Sequence, residues 1–274
     1  MVIDGKKLAE EIIADFKTKE TYSSAGRFLG AVLVGEDTSS VSFLKQKEKV
    51  AKEINIDFRL YRFPEDSTQD FLRKEVLSIA KHKTCGGIIV QLPLPSHINT
   101  QYVLNAIPRE KDIDVLGERA LGAFYVGRNP VLPPAAGVVQ KILKNFYEGE
   151  LNSAKTIVIG RGLLVGKPIR TWLEDRVVEL TVFTSQTENI KSKLNDADIV
   201  ISGAGQAKLF SAHDVKSSAL VIDFGYSSIG GKLCGDFDPQ EQDIEAVRYT
   251  PTPGGTGPML VAQLFENFFT LNKE

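Results

Sequence analysis

The chain has 274 residues, 42% hydrophobic and 25% charged, with a formal net charge of −2. This is the composition of a globular protein able to bury one large core or two smaller ones. The near-neutral balance gives no electrostatic reason to expect nucleic acid or a membrane surface as a partner.

Cys85 and Cys234 lack metal-ligand or redox spacing, and the start has no apolar signal core. A cytoplasmic location with two reduced structural thiols is therefore expected. Leu8, Ala9, Ile12, Ile13 and Phe16 recur at helical spacing and predict a first amphipathic helix. Residues 28–34 read as a strand and 39–54 as a helix, and Ile56, Phe58 and Leu60 alternate as in a half-buried strand. Thr68 is placed to cap a helix carrying Leu72, Val76 and Ile79. A strand over 86–92 is closed by Pro93 and Pro95, and a short helix over 101–107 stops before Pro108. From 115 to 135 the periodicity fades and the stretch reads as a connection. A helix over 135–147 follows. The rhythm resumes with strand 156–159, a glycine turn, a helix to 173, strand 178–183, helix 189–194 and strands 199–202 and 220–223. Gly230 and Gly231 suggest a hairpin, and 259–269 a last apolar helix. This β-α-β alternation predicts the α/β class, in two lobes with a ligand cleft between them.

The most organised stretch runs from Val158 to Pro168, Val-Ile-Gly-Arg-Gly-Leu-Leu-Val-Gly-Lys-Pro. Strand, glycine turn and helix is the context in which Gly160, Gly162 and Gly166 could seat a phosphate on a helix N-terminus. The spacing has one residue more than G-x-G-x-x-G, so an ordinary β-α turn stays open beside the nucleotide reading. The strand after it ends Thr181-Val182-Phe183-Thr184-Ser185, with no acid to bind ribose hydroxyls, although Glu188 follows shortly. With Arg161 in the turn, this favours the 2′-phosphate of NADP over NAD.

In the first half, Ser40, Phe43, Leu44, Lys47, Ala51 and Ile54 form one helical stripe, while Lys45, Lys49 and Lys52 lie off it. A lysine on a buried face is costly unless it is paired, and burial moves it toward the neutral amine a general acid or base needs. A lysine snorkelling to the rim is the alternative. Gln91 interrupts an apolar strand at its carboxyl end, where α/β sheets gather ligands, or is satisfied by loop backbone. Asp112 and Asp114 lie in a loop between the lobes, as acid–base groups, as holders of an amino-substituted ring or as solvated carboxylates. His82, His97 and His213 have no metal-ligand spacing, so no metal site is expected, and no nucleophile elbow or Walker A loop is present.

Several stretches together resemble one family, the bifunctional methylenetetrahydrofolate dehydrogenase/cyclohydrolases. They are Val34-Gly35-Glu36-Asp37 with Ser40 and Lys47, Gln91-Leu92-Pro93-Leu94-Pro95, and Lys111-Asp112-Ile113-Asp114. Gly160-Arg161 with Val165-Gly166-Lys167-Pro168, Ala197-Asp198-Ile199-Val200, and Val221-Ile222-Asp223-Phe224-Gly225 continue the series. Gly231-Lys232-Leu233 with Gly235-Asp236, and Thr250-Pro251-Thr252-Pro253-Gly254-Gly255-Thr256-Gly257-Pro258-Met259, complete it. The resemblance implies a homodimer that oxidises 5,10-methylenetetrahydrofolate with NADP and hydrolyses the methenyl product to 10-formyltetrahydrofolate. It implies a folate-binding catalytic domain over 1–134, completed by a helix over 256–274, and a Rossmann-type parallel-sheet NAD(P)-binding domain over 135–255. It places the catalytic lysine at Lys47, its glutamine partner at Gln91 and the pterin-binding aspartate at Asp114. Phe43, Pro253, Gly254 and Gly255 fall at substrate positions, and Gly160, Arg161, Gly162, Ser185 and Tyr226 at cofactor positions.

The chain departs from that pattern at several points. Phe43 stands for the usual tyrosine, Val115 for a glycine, and Gly162 for a serine. Leu132-Pro133-Pro134-Ala135 replaces a Pro-Cys-Thr-Pro stretch, and the segment after Thr181 is short. Two narrower readings stand beside the first: a dehydrogenase with weak or no cyclohydrolase activity, and a nucleotide- or folate-binding module without catalysis.

Overall fold

The computed structural model describes residues 1–18, 22, 26–239 and 247–273. The chain forms two compact units, one of residues 11–134 with 261–274, the other of residues 1–10 with 135–260. Helix α1 (Gly5–Thr18) therefore begins in one unit and ends in the other.

The 11–134 unit is built on β1 (Phe28–Val34), α2 (Thr38–Glu53), β2 (Asp57–Phe63), α3 (Gln69–Lys81) and β3 (Cys85–Val90). The three strands are parallel in the order β2-β1-β3. β1 and β3 are buried at every residue, which explains their unbroken apolar runs, whereas β2 is a partly exposed edge and alternates. The helices start where the sequence supplies caps: Asp37 accepts from the Ser40 amide at 2.8 Å, and Thr68 from the Phe71 amide at 3.3 Å. Beyond α4 (Thr100–Leu104), Asp112 pairs with Ile88 as a single parallel rung beside β3. The Asp112–Asp114 loop thus belongs to this unit's sheet and is not a connection between units. The stretch expected to be irregular contains a helix, α5 (Glu118–Tyr125). Gly122 and the short length weaken its periodicity, and its first amides are held by Asp112, on Gly117, and by Asn105, on Glu118.

The 135–260 unit begins at α6 (Pro134–Phe146), whose first residue still belongs to the other unit. It continues with β4 (Lys155–Ile159), α7 (Gly166–Leu173), β5 (Glu179–Phe183), α8 (Ile190–Leu194), β6 (Ile199–Ser202), β7 (Phe210–Ser211) and β8 (Leu220–Asp223). A hairpin of β9 (Ser227–Ile229) and β10 (Lys232–Cys234) turns at Gly230-Gly231, and β11 (Phe237–Asp238) pairs with β7. β12 (Arg248–Tyr249) completes a parallel sheet in the order β12-β8-β6-β4-β5. Strand order reverses at β4: its successor β5 lies on one side and β6 on the other. That switch point opens a crevice at the carboxyl ends of β4 and β6. Residues 1–10 cluster with this unit, Ile3 donating to the Tyr249 carbonyl at 2.7 Å and Lys6 to Gly254 at 2.9 Å.

The last helix, α9 (Thr256–Leu271), contributes its end to the 11–134 unit. There Asn267 donates to the carbonyls of Ile113 and Leu132, each at 2.8 Å, and Phe265, Phe268 and Phe269 are buried.

Candidate active site

In the 11–134 unit, α2 places Lys47 on the stripe with buried Ser40, Leu44 and Ala51, and only 8% of it is exposed. Its Nζ donates to Gln91 Oε1 at 3.1 Å and lies 5.6 Å from the centroid of the Phe43 ring. Gln91 follows β3 directly, and its own Nε2 donates to the Leu92 carbonyl at 2.9 Å. That second bond fixes the amide's orientation, with its oxygen toward the lysine. Burial pushes the Lys47 ammonium below the usual lysine range, against the opposing pull of the Asp114 charge. Burial likewise raises the Asp114 carboxyl, while Lys47 lowers it. The structure therefore brings Lys47, Gln91, Asp114 and Phe43 to one place, at the carboxyl end of the three-stranded sheet.

Asp112 has a different task from Asp114. It is buried, and its carboxylate accepts the amides of Leu116 at 3.1 Å and Gly117 at 2.8 Å. Burial raises it to about 6 against those hydrogen bonds, and Asp114 adds to the rise. Inside this clamp Val115 takes a φ of +56° although it is β-branched and fully buried. A left-handed valine is a costly conformation, so the clamp, together with Asn267 on the Ile113 carbonyl, holds the backbone that carries Asp114. The departure from glycine at this position is thus a backbone matter, because the valine side chain is packed away.

In the 135–260 unit the glycine turn leaves β4 at the switch point. Gly160 has φ +104°, and a Cβ there would stand 2.7 Å from the Gly203 carbonyl oxygen. A Cβ on Gly166 would overlap the Gly160 carbonyl, whereas nothing lies within 4 Å of one on Gly162. Two glycines are thus required by packing and the third leaves the backbone open, which fits a dinucleotide phosphate approaching the start of α7. Arg161 and Ser185 are exposed, and Tyr226 is 53% exposed. Thr184 and Thr187 close the turn after β5, the Thr184 amide donating to Thr187 Oγ1 at 3.0 Å. Pro253, Gly254 and Gly255 lie in a turn of this same unit. Gly254 has φ +97°, and Thr256 Oγ1 anchors the turn's end on the Asp223 carbonyl at 2.8 Å.

Two family models match in succession, the tetrahydrofolate dehydrogenase/cyclohydrolase catalytic domain over residues 3–114 and its NAD(P)-binding domain over residues 133–274. This chain belongs to the tetrahydrofolate dehydrogenase/cyclohydrolase family. The "Bifunctional protein FolD" of Bdellovibrio bacteriovorus is 36% identical, over 97% of this chain and 94% of that protein. The crystal structure of the bifunctional FolD enzyme from Campylobacter jejuni superposes with a TM-score of 0.91 at 30% identity, covering 99% of this chain and 98% of that one. The Trypanosoma brucei FolD, solved with an NADP cofactor and an inhibitor, has a TM-score of 0.89 at 30% identity, covering 99% and 96%. The α/β class with parallel sheets read from the sequence is the fold of this family.

Only the family resemblance separated Asp114 from Asp112, and neither it nor the residue pattern pointed to Asn267. The spacing D-x-D carries no hint of which acid faces a lysine and which clamps a turn. Asn267, one of two amide side chains on a largely apolar helix, was the available signal.

Proposed function

We propose that this protein oxidises 5,10-methylenetetrahydrofolate with NADP and hydrolyses the methenyl product to 10-formyltetrahydrofolate. The observation that carries the reading is Lys47, buried on an apolar stripe and hydrogen-bonded to Gln91, within the segment matched by the family's catalytic-domain model.

When bound, NADP supplies the hydride acceptor. The residues assigned to it are Gly160, Arg161, Gly162, Ser185 and Tyr226. The end of β5 offers no carboxylate to repel a 2′-phosphate, and Arg161 and Ser185 supply a positive charge and a hydroxyl. For hydrolysis, water adds to the methenyl carbon, a C–N bond of the imidazoline ring breaks, and one proton is released. Lys47 takes the proton from the attacking water, a role its burial-lowered basicity suits. Gln91 fixes the amine through its amide oxygen, and Asp114 accepts hydrogen bonds from the pterin and balances charge on the lysine. Phe43, Pro253, Gly254 and Gly255 are assigned to the folate.

A dehydrogenase with weak cyclohydrolase activity is the second reading, and Phe43 is the observation that favours it. The hydroxyl of the family's tyrosine is absent where the phenylalanine ring meets Lys47. Two assays decide: methylenetetrahydrofolate oxidation with NADP and NAD side by side, and hydrolysis of methenyltetrahydrofolate supplied alone. We expect faster oxidation with NADP, and hydrolysis well above the uncatalysed rate; hydrolysis at the uncatalysed rate selects the second reading.

We also propose a homodimer in a reducing cytoplasm. A partly exposed parallel edge strand, β2, supports pairing, and the free thiols Cys85 and Cys234 suit that compartment. Among the described residues no helix is long and apolar enough to cross a membrane.

A further inference from the structure

Two of the motifs shared with the family, Val221-Ile222-Asp223-Phe224-Gly225 and Gly235-Asp236, are not used by the chemistry above. In the structure they form one buried assembly. Asp236 has no exposed surface and accepts three hydrogen bonds: from Ser202 Oγ at 2.6 Å, from the Ala204 amide at 2.7 Å and from the Gln206 amide at 2.8 Å. Asp223 stands beside it and accepts from the amides of Gly225 at 2.6 Å and Phe237 at 2.9 Å. The glycines of both motifs make room for these acids. A Cβ on Gly225 would overlap the Asp236 carboxylate, and one on Gly235 would overlap that of Asp223.

All three donors to Asp236 lie at the end of β6 or in the loop that follows it. That loop is one wall of the crevice at the switch point. The Gly203 carbonyl packs directly against Gly160, and a Cβ on Gly203 would lie 2.5 Å from Val165 Cγ1, just before α7. The segment 203–206 has no helix or strand of its own. Beside Asp236 it is held by the Gly203 amide on the Ile159 carbonyl at 2.9 Å, by the Phe224 amide on the Ser202 carbonyl at 2.7 Å and by Ser227 Oγ on the Gly205 carbonyl at 3.0 Å, and only Asp236 gathers three of its donors at one group. A buried carboxylate that accepts several hydrogen bonds is a strong and directional anchor, because its desolvation is repaid only in one geometry.

We propose that Asp236 is a positioning residue for the dinucleotide: it fixes the 202–206 segment against the glycine turn, and so sets the shape of the crevice wall that the cofactor meets. This rests on the cofactor reading above. Asp236 acts through the loop backbone and Ser202, and touches no reacting atom.

The test uses the full chain and three measurements: NADP binding by titration, the NADP dependence of oxidation, and hydrolysis of methenyltetrahydrofolate without cofactor. Asp236→Asn keeps the shape but turns an NH2 toward one of the three donors. We expect the NADP dissociation constant and KM to rise about tenfold or more, with kcat at saturating NADP retained and cofactor-free hydrolysis within about twofold of the parent. Ser202→Ala removes one bond of the three, and a rise of roughly threefold in the same constants is expected. Parent-like NADP affinity in Asp236→Asn overturns the assignment. If Asp236→Asn loses binding and hydrolysis together, Ser202→Ala decides. A raised NADP constant with intact hydrolysis then keeps the positioning role, and an unchanged constant overturns it. A parent protein that hydrolyses methenyltetrahydrofolate but binds neither NADP nor NAD overturns the cofactor reading itself, and is distinguishable from every outcome above.

Discussion

The two units place a parallel sheet under the same local topology and use it in opposite ways. In the 11–134 unit the order is β2-β1-β3, and in the 135–260 unit β5-β4-β6 repeats that pattern: the second strand lies on one side of the first and the third on the other. Each therefore opens a crevice at the carboxyl ends of its first and third strands. The 11–134 unit fills this place with side chains. Lys47 is costly to bury, and half-buried Gln91 and Asp114 supply it with a hydrogen-bond acceptor and an opposing charge. The 135–260 unit keeps the place clear. Glycines admit backbone contact there, and its buried acids, Asp223 and Asp236, sit behind the loops and hold them. Topology thus decides where a site can be, while residue choice decides whether it does chemistry or offers a cradle.

The largest expected effect separates the units by activity. Lys47→Met keeps volume on the α2 stripe and removes the amine, so hydrolysis should fall by about 10²–10⁴-fold while NADP binding in the other unit persists. Rates with methenyltetrahydrofolate alone, beside an NADP titration, check this; parent-like hydrolysis would reduce Lys47 to a packed, snorkelling lysine.

Next comes the pH dependence of stability. Burial raises the Asp223 carboxyl to about 7, with Asp236 adding to the rise, against an ordinary aspartate near 3.8. Between these values the folded chain keeps a proton that the unfolded chain has released. The sign follows: this group's contribution is complete below about 4 and is lost as pH rises toward 7, at up to about 1.4 kcal/mol per pH unit. Asp112 in the other unit, raised to about 6, acts in the same direction over a narrower window. Asp223→Asn should flatten the fall in unfolding free energy between pH 4 and 7, whatever constant offset its altered hydrogen bonds add. Urea midpoints across that range test it, and an unchanged slope would show that Asp223 is ionised throughout.

Arg161→Ala should raise the KM for NADP roughly tenfold and leave that for NAD nearly unchanged, since only NADP carries the extra phosphate. Equal rises with both cofactors would assign Arg161 to the turn or to the shared pyrophosphate. The smallest effect is expected from Phe43→Tyr. The ring is partly exposed beside Lys47, so the hydroxyl it gains is not sealed in the core. One added hydrogen bond to lysine or substrate would speed hydrolysis by roughly two- to tenfold. A lowered melting temperature with no kinetic gain would mean that the pocket has adapted to phenylalanine.

Much of the architecture was legible in the sequence because it depends on neighbours along the chain. Unbroken apolar runs marked β1, β6 and β8, apolar spacing marked helices in both units though not α5, and Thr68 announced its own cap. The stripe on α2 singled out Lys47 among its neighbouring lysines, since helix geometry is local. What the chain could not disclose is what folding brings together from afar. Short α5 has too few turns for a period to emerge, and the amides at its start are held from a distance in sequence, Gly117 by Asp112 and Glu118 by Asn105. Spacing alone leaves Asp112 and Asp114 equivalent, and only the resemblance singled out Asp114; the Ile88 rung and the left-handed Val115 turn one toward backbone amides and leave the other beside Lys47. Asn267 reaches the Ile113 carbonyl across 154 positions, and Asp236 meets Ser202 across 34. Hydrogen bonds and desolvation act over ångströms, so the partners that give these buried polar groups their meaning exist only once the sheets have formed.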